Sequence, residues 1–225
     1  MISIDKTSLE RTIYTPEKIK AIVILAHGAG AGNQHEFIVT QAMSLAKNGF
    51  QVFAFNFPYM QISYEQSKRR PPNKAEVLTA HFVNEVKLVT ASNTNNYPVY
   101  LVGKSMGGRI ASMVATSPEI SINGVIVLGY PFIPPGKPEK LEGRTAHFER
   151  MLTPMFIIQG ERDTFGGRAL LSEVTLPIDT KLAWIPDGDH SFKPRKSSGY
   201  NEESNNMLVT SHIVSFINSG LNNEN

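Results

Sequence analysis

Six short apolar runs recur along the chain, most of them ended by Gly, Pro or Asp. They are "AIVILAHG" (21–28), "QVFAFNF" (51–57), "PVYLVGKS" (98–105), "NGVIVLGYP" (123–131), "PMFIIQGERD" (154–163) and "TKLAWIPDGDH" (180–190). Their hydrophobicity is continuous rather than alternating, which predicts strands covered on both faces, as in a parallel sheet. Between them, helical patterns run over about 36–48, 74–92, 106–117 and 168–173, with a last one at 204–218. Alternating β and α elements predict a three-layer αβα sandwich with a mostly parallel sheet and right-handed crossovers. With no internal repeat and no Pro/Gly/Ser linker, residues 1–225 read as a single domain. The longest irregular piece, "PFIPPGKPEKLEGRTAHFER" (131–150), lies between two strands and is long enough for a small flap, so little or no lid is expected.

Composition narrows the classes without choosing among them. A chain of 225 residues can bury a sizeable core, and 41% hydrophobic with 19% charged residues argues against wholesale disorder. A formal charge of +2 gives no reason to expect nucleic acid or a membrane as partner. The absence of cysteine removes disulfides, thiolate metal sites and a Cys nucleophile. The N-terminal "MISIDKTSLERTIYTPEK" lacks the apolar run of a signal peptide. No stretch approaches the roughly 18 continuous apolar residues of a membrane span. The expected location is the cytoplasm, and nothing in the sequence reports oligomeric state.

The stretch "VYLVGKSMGGRIAS" (99–112) holds two overlapping motifs. As the end of a phosphate-binding loop it fails, because such a loop needs glycine five residues before Gly103, and Pro98 stands there, followed by strand. As G-x-S-x-G it fits: a buried strand precedes, a helix follows, and Gly103 and Gly107 flank Ser105 at the two close-packed positions. A serine hydroxyl needs a base, and the base needs an orienting acid. His147, His190 and His212 follow Ser105, and His190 sits in "DGDHSF", directly after a strand, where α/β sites assemble. Asp163, ending "MFIIQGERD", is the expected acid, with Glu161 a neighbouring rival. Asp187 and Asp189 are expected to shape the loop of His190. An oxyanion would be held by the backbone N–H groups of Met106 and of Ala29 in "HGAGAGN" (27–33), a loop that His27 braces. That loop is not a dinucleotide fingerprint, since Asn33 stands where the last glycine would be.

The remaining loops bring Tyr59, Met60, Tyr130, Phe132 and Phe165 toward Ser105 as candidate substrate contacts. The same loops carry Lys68, Arg69, Arg70, Lys137, Lys140, Lys193, Arg195 and Lys196, which would favour an anionic small-molecule or peptide substrate. Taken together, "HGAGAG", "FNFPYM", "RRPP", "GKSMGGR", "LGYPFIPPGKPE", "QGERDTFG" and "DGDHSFKPRK" resemble one branch of the α/β-hydrolase superfamily. That branch contains small bacterial hydrolases of unassigned substrate, a testis-expressed protein and a domain of a non-specific lethal complex subunit. The resemblance implies the α/β-hydrolase fold and the triad Ser105, Asp163 and His190. Dienelactone hydrolases, more distant, use cysteine as nucleophile where this chain has serine. The expected activity is cleavage of an ester, thioester or amide through an acyl-enzyme, with no cofactor and no metal. The alternative is a non-catalytic binding or scaffold protein that retains the fold.

Overall fold

The computed structural model describes residues 2–5 and 10–223, without the side chain of Asn223. Eight strands form one sheet: β1 (Ser3–Asp5), β2 (Arg11–Thr15), β3 (Ala21–Ala26), β4 (Phe50–Phe55), β5 (Val99–Lys104), β6 (Gly124–Leu128), β7 (Met155–Gly160) and β8 (Thr180–Ile185). Their order is β1-β2-β4-β3-β5-β6-β7-β8. The β1–β2 and β2–β4 pairs are antiparallel and all others parallel. The polar N-terminal stretch therefore adds two strands that its sequence pattern does not announce; residues 1 and 6–9 of it lie outside the described residues.

Alternation along the strands divides the core in two. In β3, Ile22, Ile24 and Ala26 face one layer, while Ala21, Val23 and Leu25 face the other. The first layer holds α2 (Pro58–Glu65), α3 (Ala75–Ser92) and α4 (Met106–Val114), through residues such as Phe82, Val86, Ile110 and Val114. The second holds α1 (Glu36–Lys47) and α7 (Glu202–Asn223), through Ile38, Leu45, Val209, Ile213 and Ile217. Both faces of the central strands are thus covered, which is why they read as continuous apolar runs. The architecture is the expected αβα sandwich.

Two of the expected elements differ in form from expectation. The run at 180–190 begins with an edge strand, β8, in which Lys181 and Leu182 are exposed because among the described residues no strand pairs beyond it. The helix expected at 168–173 is a single turn, α6 (Arg168–Leu171). The 131–150 segment folds as a 3-10 turn (Pro138–Lys140), α5 (Glu142–Thr145) and a second 3-10 turn (Ala146–Arg150), anchored by buried His147 and Phe148. Among the described residues, no helix is long and apolar enough to cross a membrane.

Candidate active site

After β3 the chain turns to β4 on one side, then crosses back so that β5 lies on the other side of β3. This reversal opens a crevice at the C-terminal ends of β3 and β5. The loop that begins at His27 leaves one of these strands, and Ser105 leaves the other.

Ser105 occupies the turn from β5 into α4 with φ 50° and ψ −115°, a backbone conformation that side-chain-bearing residues seldom adopt. The turn is possible because its neighbours have no side chains. A Cβ on Gly103 would run into the backbone of Gly107 and Gly108, and one on Gly107 into the carbonyl of His27. The Ser105 N–H is tied to the Leu128 carbonyl of the adjacent strand (2.9 Å), so the apex is held from below.

Ser105 Oγ lies 2.7 Å from His190 Nε2, and His190 Nδ1 lies 2.8 Å from Asp163 Oδ2. The carboxylate accepts a hydrogen bond from Nδ1–H, which in the neutral ring leaves Nε2 as an acceptor for the serine hydroxyl. Asp163 is buried with both oxygens engaged: Oδ1 accepts from the Phe165 N–H (2.8 Å), and Oδ2 also accepts from Gln159 Nε2 (2.8 Å). Burial lowers the pKa of His190, outweighing the hydrogen bond that Nδ1–H donates to Asp163, and the Lys104 charge lowers it further. The ring is stacked on Phe165, with centroids 4.1 Å apart. Chain residues separated by 85 and 27 positions are thereby brought into one hydrogen-bonded line.

Supporting residues complete the site, and sequence reasoning missed two of them. Lys104 Nζ donates to the His190 carbonyl (2.6 Å), and its burial lowers its pKa to about 8. Gln159 donates to Asp163 and holds both the N–H and the carbonyl of Tyr130 (2.8 and 3.2 Å). A lone amide inside the apolar run "MFIIQG" was the available signal. The expected braces are in place. His27 Nδ1 meets the Gly28 carbonyl (2.7 Å), and Nε2 accepts from the Phe57 N–H (3.0 Å); burial takes its pKa to about 4, which keeps it neutral. Asp189 accepts from the N–H groups of Ser191 and Lys193, and Asp187 binds Arg195 and Arg162. Glu161, the rival acid, pairs with Arg168 and accepts from the Asp187 N–H, away from His190. His147 is buried against Ser112, and His212 packs on Phe156.

A cavity of about 1150 Å³ opens over Ser105 and His190, lined also by Ala29, Met106 and Phe165. Met106 opens α4, so its N–H has no acceptor within the helix. The carbonyls of Gly28 and Ala29 are taken by the Tyr59 hydroxyl (3.2 and 3.0 Å). Of the five residues expected to contact substrate, only Phe165 lines the cavity. Tyr59, Met60, Tyr130 and Phe132 are buried core residues beneath it, drawn inward because large side chains at the strand ends fill the layer between sheet and helices. None of the eight basic loop residues lines it either: Arg195 is committed to Asp187, and Lys193 reaches Glu202 (3.4 Å).

Residues 19–218 match the family model described as an alpha/beta hydrolase domain. The chain belongs to this family. Solved structures similar to this alpha/beta hydrolase domain include dienelactone hydrolase from Anabaena variabilis, 18% identical with a TM-score of 0.71 over 96% of this chain and 95% of that one. A monoacylglycerol lipase from Paleococcus ferrophilus is 14% identical with a TM-score of 0.64, covering 95% and 99%. At these identities the likeness is one of fold. Among curated proteins, the chain is 26% identical over 186 residues to a Mycobacterium tuberculosis protein carrying the provisional name phosphoribosyl transferase. That match covers 80% of this chain and 39% of the relative, so the chain spans about two fifths of the length of the protein it matches.

Proposed function

We propose that the protein is a serine hydrolase that cleaves an ester, thioester or amide through an acyl-enzyme. The observation that carries this reading is the continuous line from Ser105 Oγ through His190 to Asp163, with both contacts under 3 Å. Ser105 attacks the substrate carbonyl while His190 Nε2 takes its proton, and Asp163 stabilises the imidazolium that forms. The oxyanion is received by the N–H groups of Met106 and Ala29, a type of donor worth about 3 to 4 kcal/mol each in the transition state. His190 then returns the proton to the leaving group, and water reverses the sequence to release the acid. The open strand-end cavity, with Phe165 against the histidine, suits a substrate presented from solvent. The name of the mycobacterial relative does not bear on this chemistry, since most of that protein has no counterpart here.

Labelling with a fluorophosphonate tests the reading. Wild-type protein is expected to be labelled once and Ser105→Ala not at all. A folded wild type that stays unlabelled, or a mutant labelled as fast as wild type, would contradict it.

A further inference from the structure

The cavity over Ser105 has an uneven distribution of charge. On the side of α4 and the 131–150 segment it is lined by Arg109 and Arg144. On the side of α1 and α7, which cover the opposite face of the sheet, it is lined by Glu36, Glu202 and Glu203. Arg109 lies four residues past Ser105, about 6 Å along the helix axis. Arg144 comes from α5 and meets it from across the cavity wall.

The two guanidinium groups share a partly buried space with no counter-ion. Among the described residues neither forms an ion pair with a carboxylate, although each makes one hydrogen bond to a backbone carbonyl. Arg109 donates to Gly143 (3.1 Å) and Arg144 to Pro131 (2.8 Å). Arg109 Nε is shielded from solvent and has no acceptor. Burial and the neighbouring Arg109 charge both lower the pKa of Arg144, as expected of two cations sharing a desolvated space. The titratable side chains that meet Arg109 besides Arg144 are Tyr130, a neutral hydrogen-bond partner whose hydroxyl also donates to the Arg144 carbonyl (2.6 Å), and His147. His147 is held neutral, with its pKa lowered to about 4, and neither residue supplies a negative charge. Two like charges held together without compensation cost free energy that a bound anion would recover, and planar guanidinium groups match the oxygens of carboxylate and phosphate.

We infer that Arg109 and Arg144 form an anion subsite that takes a carboxylate or phosphate group carried by the substrate, a few bonds from the group over Ser105. The inference rests on the serine-hydrolase reading for its placement but not for its test. Glu36 and Glu203 on the opposite wall, Glu202 being paired with Lys193, favour one direction: the charged end of the substrate lies toward α4, and the neutral remainder extends between α1 and α7. Half-esters or thioesters of short dicarboxylic acids, and acyl groups esterified to a phosphorylated alcohol, are the chemical classes that fit.

Binding of glutarate and of inorganic phosphate to Ser105→Ala protein, measured by calorimetry at low salt, tests the subsite without turnover. At least one anion is expected to bind with unit stoichiometry, and which of the two binds tighter separates the carboxylate from the phosphate source. Affinity should fall about tenfold or more in Arg144→Gln added to that background, and be partly restored by Arg144→Lys. A matched Arg109→Gln series, with folding checked by thermal unfolding, should do the same; if it fails to fold, the Arg144 series alone decides. No binding of either anion, or binding unchanged in Arg144→Gln, would overturn the subsite. Anion binding without fluorophosphonate labelling would keep the subsite and remove the hydrolase reading. Labelling without anion binding would do the reverse.

Discussion

At the residue scale, the proposed chemistry depends on how His190 is kept neutral and poised. Burial disfavours its charged form, and the Lys104 ammonium bound to its own carbonyl adds to that, against the opposing pull of Asp163. Only the neutral ring can accept the serine proton. The acid limb of kcat/KM should therefore lie below the ordinary imidazole value of about 6.5. Replacing Lys104 by Met removes a positive charge that disfavours the imidazolium, so the acid limb should move to higher pH. It also removes the donor to the His190 carbonyl, so kcat should fall. A pH profile of kcat/KM for wild type and Lys104→Met checks this; a limb that stays in place or moves to lower pH would refute the electrostatic role. Lys104 also shows what a sequence hides. In "GKS" it occupies the variable position of the motif, and its partner is 86 residues away, so no local pattern reports the contact. Ser105, Asp163 and His190 could be read because each ends a recognisable strand.

At the element scale, the strand-turn-helix around Ser105 converts close packing into an exposed hydroxyl. Gly107 sits where a Cβ would meet the His27 and Ala26 carbonyls, which ties the α4 turn to the same loop that presents Ala29. Gly107→Ala should therefore disturb both sides of the crevice at once. The expected destabilisation is about 1 to 3 kcal/mol, the usual cost of forcing extra volume into a packed site. It would be seen as a lower denaturation midpoint and a large loss of labelling rate; a variant as stable and as reactive as wild type would show that β5 and α4 do not need this approach. Elements were legible where length and periodicity were clear, as for α1, α3, α4 and the central strands. Less was visible in α2, a short helix opening at Pro58 with only Tyr59 and Met60 buried, which reads as a loop. The edge strand β8 was misjudged because its first half, with Lys181 and Leu182, is left uncovered, and no local feature says which strand ends a sheet.

On the scale of the whole molecule, strand order assembles the proposed site. The reversal between β3 and β5 places the His27–Ala31 loop opposite Ser105, and β7 and β8, which follow beyond β6, bring Asp163 and His190 to the same edge. The alternating pattern suggested the layers and the parallel sheet, but no segment encodes which loops face one another. That is also why the substrate contacts were misplaced. Tyr130 and Phe132 stand at a strand end, as expected, yet the crossover packing turns them under the site and leaves Arg144 of the 131–150 segment at its wall. The central claim, that Ser105 carries the acyl group, is tested most directly by quenching the protein in acid after brief exposure to 4-nitrophenyl acetate and mapping its peptides by mass spectrometry. The account predicts one acetyl group per chain, on the peptide containing Ser105, formed far more slowly in His190→Ala. Acetylation at another residue, or on Ser105 at an undiminished rate without His190, would contradict it.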